Sequence, residues 1–294
     1  MEIHKDIKNI KISSYTSGFN LIKNEFNWEK ALTNHSFIAD EIVVAINSSE
    51  DDTYQRVLDF STAHNARNPP SSIEDDDCES CKRGEIKIIE TAFSYLDPDL
   101  DGKIKNAALQ ATSHDIKLGL DMDELIDPKM RSRLREVAAS LVATEDIQAF
   151  FVPVIDLYKN KYFYKGIGQK WYLHKKDLYR GTVNFARRPD GTHNTDQSDS
   201  CELIDEYGNL VRSVSMVLVD GSTTEDVTFD NIVSQNIPVV FHTGYLNLEK
   251  KVLRNKNFWK NHWSIEAGRP VYVPTDVNEM DYPAKRHNLN VDFI

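Results

Sequence analysis

Cysteine is scarce in this chain: three residues among 294, an odd number. That excludes a disulfide framework and points to a reducing compartment. Cys78–Glu–Ser–Cys81 lies in an acidic polar stretch with only Cys201 elsewhere to join it. A structural zinc site wants four ligands, so the pair reads as incidental. No run of about 18 apolar residues occurs, so no transmembrane helix is expected. The opening Met1–Glu–Ile–His–Lys–Asp6 has no apolar signal core, which makes the cytoplasm the expected location. Internal repeats and low-complexity segments are missing as well. So is any excess of basic charge, since the formal net charge is −11. Residues 40–101 hold sixteen acids against five bases, which accounts for the whole imbalance. Nucleic acid is excluded as a main partner, because phosphate binding needs a concentrated basic footprint.

What remains is an ordinary globular composition, 40% hydrophobic and 28% charged, long enough for one large core. Ile10–Lys–Ile12 reads as a first strand and Ser13–Gly18 as the loop at its end. Helical spacing follows from Asn24 to Leu32. Glu41–Ile–Val–Val–Ala–Ile46 is the β-branched run of a parallel strand buried on both faces. It ends in Asn47–Ser–Ser–Glu–Asp–Asp–Thr53, whose capping residues start a helix near Tyr54. Glu85–Glu90 is a third strand. A helix from Ile104 to Thr112 then leads through a turn to Ile116, Leu118 and Leu120, which alternate as a strand does. Strand and helix thus alternate four times, the pattern of βαβ units and a mostly parallel sheet. Later, Arg131–Leu141 reads as a helix and Ala149–Ile155, Trp171–Leu173, Ser213–Val219 and Pro238–Gly244 as strands. A basic, aromatic helix spans Leu246–His262.

The organising stretch ends in Asp121–Met–Asp123–Glu124. On an extended chain Asp121 and Asp123 would share one side, at the carboxyl end of a buried strand where α/β sheets place ligands. Hard cations such as Mg²⁺ or Mn²⁺ take carboxylate oxygens together with a substrate diphosphate.

Three stretches, in order, carry a resemblance: Ile12–Ser–Ser–Tyr–Thr–Ser17, Asp40–Thr53, and Lys105–Asn–Ala–Ala–Leu–Gln110 with Leu120–Glu124. Together they are similar to the strand–turn and Asp-x-Asp motifs of the family 2 glycosyltransferases, over roughly residues 8–128. The resemblance implies a GT-A-type, Rossmann-like α/β fold with helices on both faces of the sheet. It further implies a nucleotide-diphosphate sugar donor, a divalent metal on the Asp-x-Asp, and inversion at the anomeric carbon. Residues 1–128 would form the donor and metal half. Residues 129–294 would form an elaborated acceptor-side half of the same compact unit, receiving a glycan or other hydroxyl acceptor.

Within that frame, Ser14, Tyr15, Thr16, Asn47, Glu50, Asp51, Lys103, Lys105 and Asp121 are the expected donor-binding residues. The lysines, at a helix N-terminus, would face the diphosphate. The family's acid at the end of the second strand is replaced here by Ile46, so Asn47, Glu50 or Asp51 would have to supply the contact to base and ribose. The metal ligands are expected to be Asp121, Asp123 and, late in the chain as GT-A enzymes often have it, His242. A general base is sought in the acidic loop after Arg188, with Asp199 first, then Glu202 and Asp196. Trp259, Trp263 and Tyr245 are candidates for stacking on acceptor sugars, with core packing as the alternative.

Two other readings share these residues. A nucleotidyltransferase also uses a carboxylate pair on an α/β sheet. Asp97–Pro–Asp–Leu–Asp–Gly–Lys–Ile104 matches the first eight positions of an EF-hand loop, which would make a calcium-binding interaction protein. The twelfth position is Ala108, where a bidentate Glu belongs, so the stretch reads as a turn that starts a helix.

Overall fold

A computed structural model describes residues 10–68, 83–97, 100–144, 147–175, 179–182, 201–204, 228–267, 270 and 272–294. The first half gives β1 (Ile12–Gly18), α1 (Trp28–Ile38), β2 (Glu41–Asn47), α2 (Thr53–Arg67), β3 (Glu85–Thr91), α3 (Leu100–Gln110), β4 (Ile116–Gly119) and β5 (Glu124–Ile126). Then come α4 (Arg131–Ala143), β6 (Ala149–Tyr158), β7 (Asn160–Lys175), β8 (Tyr179–Thr182), β9 (Cys201–Ile204), α5 (Phe229–Ser234) and β10 (Val240–Tyr245). A continuous helical run follows: α6 (Leu248–Arg254), a π-helical turn (Asn255–Trp259) and α7 (Lys260–Ala267), with β11 (Lys285–Arg286) near the end.

The main sheet runs β3-β2-β1-β4-β7-β6-β10-β5, with β11 on β7. Pairing is parallel across β3-β2-β1-β4 and between β6 and β10, and antiparallel at β4–β7, β6–β7 and β10–β5. The chain leaves β1 towards β2 on one side and returns through α3 to β4 on the other. A crevice therefore opens between the carboxyl ends of β1 and β4.

Period-2 alternation splits β2 between two cores. Ile42, Val44 and Ile46 face Trp28 and Leu32 of α1 and Val57 of α2. Val43 and Ala45 join Tyr15 in facing Leu100, Ile104 and Ala108 of α3. A third cluster packs α4 (Leu134, Val137, Ala138, Leu141) under Leu118, Phe150 and Val152. Helices thus cover both faces, and β4–β7 and β6–β7 pairing joins the later strands to the same sheet.

One expectation is corrected here. The polar run Ser13–Gly18 is not a loop but the central strand, with Ser13 and Thr16 0% exposed. A buried carboxylate makes this possible: Ser13 Oγ donates to Glu41 at 2.5 Å, and Ser113 N–H and Lys87 Nζ donate to the same group at 2.7 and 2.6 Å. Burial opposes that charge, yet these donors pull the Glu41 pKa down to about 2.

The Ser213–Val219 strand, Cys78 and Cys81 lie outside the described residues. From Leu100 onward the EF-hand match is helix. Helix α3 begins at Leu100 and contains Gly102, while Asp97 pairs with Lys103 at 2.5 Å and Asp101 with Lys105 at 3.3 Å. No helix among the described residues is long and apolar enough to cross a membrane.

Candidate active site

Asp121 and Asp123 do not sit on an extended strand. β4 stops at Gly119, and residues 121–124 make a tight turn in which Glu124 N–H donates to Asp121 O at 3.1 Å. Asp121 N–H in turn donates to the Glu124 carboxyl at 2.8 Å. The turn is held from two sides. Thr243 of β10 donates both its N–H and its hydroxyl to Asp123 O, each at 2.7 Å. From α1, Asn34 exchanges two hydrogen bonds with Ile126 at 2.8 and 2.9 Å, and His35 meets Glu124 O at 2.9 Å.

Because the backbone turns, the two carboxylates part company. Asp121 faces α3, where Lys105 Nζ lies 3.1 Å from its Oδ1. Asp123 faces the later chain: its Oδ2 is 3.5 Å from His242 Nε2 and 3.2 Å from Arg254 Nη1. Burial alone would raise the Asp123 pKa, but His242, Arg254 and Lys251 hold it well below the usual carboxylate range. Glu124 goes the other way, raised by burial and by the charge of Asp121.

His242 stands in register with Asp156 on the adjacent parallel strand, so their side chains meet across the ladder. The contact is 2.6 Å from His242 Nδ1 to Asp156 Oδ1, which leaves Nε2 aimed at Asp123. Burial opposes a charge on this ring, yet Asp123 and Asp156 raise its pKa to about 10. Arg254 is 6% exposed, with its guanidinium 4.3 Å from the centre of the Phe26 ring.

These groups line a cavity of about 340 Å³. Ser17, Gly18, Asp121 and Asp123 are among its lining residues. Charged side chains line it (Asp101, Lys105, Asp156, Lys165, His242, Lys251, Arg254), and so do the rings of Phe19, Phe258, Trp259 and His262. Tyr245 sits beside His242, its ring 5.6 Å from the imidazole, with Lys165 Nζ 3.7 Å from its centre.

The sequence-predicted residues divide sharply. Lys105, Asp121, Asp123, His242, Tyr245 and Trp259 line the cleft. Ser14, Tyr15 and Thr16 do not. They are 0, 1 and 0% exposed inside the sheet, because β1 runs on to Gly18 and the cleft begins at Ser17. Asn47 is consumed by β3 and the chain beyond it: its Oδ1 accepts from Thr91 Oγ1 and Phe93 N–H, and its Nδ2 donates to Phe93 O. Asp51 caps Thr53 N–H and accepts from Lys23 N–H, and Glu50 pairs with Lys23 Nζ. Lys103 is drawn off to Asp97.

Asp196 and Asp199 lie outside the described residues. Glu202 is on β9, opposite Gly181 of β8, and β8 runs beside α3. Trp263 belongs to α7. The sequence reading missed Asp156, Lys165, Phe258 and His262 as site residues, and took Arg254 only as part of a basic stretch. An acid within the apolar run of β6 was the signal available for Asp156.

A divalent cation fits the Asp123–His242 pair by taking the place of the ring proton that Asp123 and Asp156 hold there. One hard oxygen and one imidazole nitrogen face each other, and Asp156 fixes the ring as outer-shell carboxylates do for metal-bound histidines. Gly244 keeps the space open, since a Cβ there would lie 2.6 Å from His242 Nε2 and 2.9 Å from Asp123 Oδ2. Asp121 does not join them. Among the described residues no three His, Cys, Asp or Glu side chains gather as a metal-binding group, because Lys105 holds Asp121 on the other wall.

No family model matches the chain, and no curated protein does. Solved structures that it resembles include S. aureus TarS 1–349 in complex with UDP, at 17% identity and a TM-score of 0.34 over 52% of this chain and 38% of that one. Another is glucosyl-3-phosphoglycerate synthase from Mycobacterium tuberculosis in complex with Mg²⁺ and UDP, at 18% identity and a TM-score of 0.30 over 53% of this chain and 47% of that one. The chain therefore spans less than half the length of either protein.

Proposed function

We propose that this chain is a metal-dependent, inverting glycosyltransferase of the family 2, GT-A type, moving a sugar from a nucleotide-diphosphate donor to a hydroxyl acceptor such as a glycan. The observation that carries the reading is the Asp123–His242 pair, 3.5 Å apart in the cleft and braced by Asp156. Asp123 and His242 would hold Mn²⁺ or Mg²⁺, which neutralises negative charge on a departing nucleoside diphosphate. Arg254 and Lys251 add fixed positive charge beside Asp123. Lys105, pinned between Asp101 and Asp121 and 8% exposed, positions Asp121 to accept from a donor hydroxyl on the opposite wall.

The acceptor hydroxyl must lose a proton as it attacks. We assign that task to Asp199, Glu202 or Asp196, on the segment whose β9 end is carried alongside α3 by β8. Loss of a general base costs about 10²–10⁴-fold, so Asp199→Asn should fall mainly in kcat with donor affinity unchanged.

The test is hydrolysis of a panel of nucleotide sugars with Mn²⁺ or Mg²⁺. A glycosyltransferase releases a nucleoside diphosphate, dependent on Asp123. Release of pyrophosphate from a nucleoside triphosphate and a sugar 1-phosphate, assayed in parallel, would make the chain a nucleotidyltransferase, and no metal-dependent turnover in either assay would refute both.

A further inference from the structure

A second cavity, of about 590 Å³, lies against the first, and both are lined by Phe26, Met122, Asp123 and Arg254. Its charge is opposite in sign to that of the chain. Five cations line it: Lys30 of α1, Lys159 and Lys161 where β6 turns into β7, and Lys250 and Arg254 of α6. Among the described residues two acids oppose them, Glu25 and Asp123, in a protein of formal net charge −11. Both acids are already engaged, Glu25 with Lys250 at 3.1 Å and Asp123 with Arg254 at 3.2 Å.

The other three lysines leave a surplus of positive charge. Lys30 and Lys161 are half-buried. Among the described residues neither meets a carboxylate, and Lys161 Nζ donates to Val291 O at 3.2 Å. Lys159 reaches Asp281 only at 3.5 Å, and that carboxylate is 86% exposed. Gathering like charges from α1 and the β6–β7 turn around one cavity costs electrostatic energy, which an anion among them offsets. A cavity lined by one sign of charge also concentrates ions of the other sign. The backbone is left-handed at Glu25 and Lys159, with φ 51° and 60°, and both residues line this cavity. Residues held in that conformation cluster at ligand clamps.

We propose that this cavity binds a second small molecule, an organic anion that carries a phosphate or carboxylate on a short carbon skeleton. Lys30, Lys159 and Lys161 hold the anionic group as point charges, each with three N–H donors. Phe26, Ala31, Met122, Leu125 and Leu246 line the same space and give a carbon skeleton apolar contact, which bare phosphate would leave unused. The volume falls within the range of small-molecule sites. The donor cleft is a different site: Lys165, His242 and Lys251 line the cleft and not this cavity. The assignment stands whether or not the chain is a glycosyltransferase.

The experiment is calorimetric titration of the metal-free full chain with glycerol phosphate, citrate and inorganic phosphate. It compares wild type with two double variants, Lys30→Gln with Lys161→Gln in this cavity and Lys165→Gln with Lys251→Gln in the cleft. A melting curve checks the fold of each. Wild type should bind glycerol phosphate or citrate more tightly than inorganic phosphate. The Lys30/Lys161 variant should weaken that binding about tenfold or more, the loss expected when hydrogen bonds to a charged group are removed. The Lys165/Lys251 variant should leave it unchanged. Flat wild-type titrations with both organic anions at millimolar concentration would overturn the assignment. So would a loss that follows the Lys165/Lys251 variant and spares the other, since the anion would then sit in the cleft. Inorganic phosphate bound as tightly as the organic anions would remove the carbon skeleton from the proposal. Hydrolysis of donor sugars is measured apart from these titrations, so none of these outcomes decides the glycosyltransferase reading.

Discussion

The turns that follow β2 and β4 look alike in sequence, each an apolar strand running into acids and amides. They do opposite work. After β2, Asn47, Asp51 and Thr53 are used up locally: they bind Phe93, the Asn20–Lys23 loop and each other. After β4, Asp121 and Asp123 reach past their own turn to Lys105, His242 and Arg254, one of them 131 residues away. What separates a clasp from a site is where the polar atoms find partners, and local composition does not record that.

The comparison breaks most visibly at Asp123. Asp123→Ala should abolish donor hydrolysis. It should also lower unfolding free energy by about 3–5 kcal/mol, because Arg254 keeps its burial and loses the carboxylate it pairs with. A denaturant melt beside the activity assay checks both, and a variant with wild-type turnover would remove Asp123 from the site. Next is Asp156→Asn, which leaves the ring of His242 without its carboxylate. Metal affinity should drop about 10–100-fold, read by Mn²⁺ titration, with the fold retained.

Asn47→Ala is the matching cut on the other turn. It strands the Phe93 backbone groups and should cost about 1–3 kcal/mol of stability, with kcat and donor KM unchanged in the folded protein. A rise in donor KM would return Asn47 to the binding site. The smallest effect is expected from acid. Glu41 has its folded pKa depressed to about 2 from a model-peptide value of 4.5. Its contribution is present above pH 4.5 and is lost as pH falls towards 2. Glu41→Gln should flatten that part of the pH–stability curve and leave activity at neutral pH intact.

How much of this was legible depended on the range of the interactions. β2 and β4 announced themselves by β-branched and alternating residues, and α3 by its spacing. β1 did not, because Ser13–Thr16 look like a loop until Glu41 is seen beside them. That Asp121, Asp123, Lys105 and His242 would share a cleft could be read from motif and order. Asp156 and Arg254 could not, since one is embedded in an apolar strand and the other resembles any base on a solvated helix. Their roles come from β6–β10 register and from α6 folding back over the first sheet.

The two hydrogen bonds from Thr243 to the carbonyl of Asp123 bear on time as well as on space. A contact spanning 120 residues closes late, since long loops are entropically slow to form. During synthesis β1 to β4 can pair as soon as they emerge, but Asp123 gains its clamp, and His242 its neighbour, only after β10 has been made. A nascent chain halted before residue 240 would carry the parallel sheet and the acidic turn without the means to use them. Assembly of the cleft in this protein thus waits for the last strands to arrive, and pulse-labelled hydrogen exchange should find the amide of Thr243 protected after those of β1 and β2.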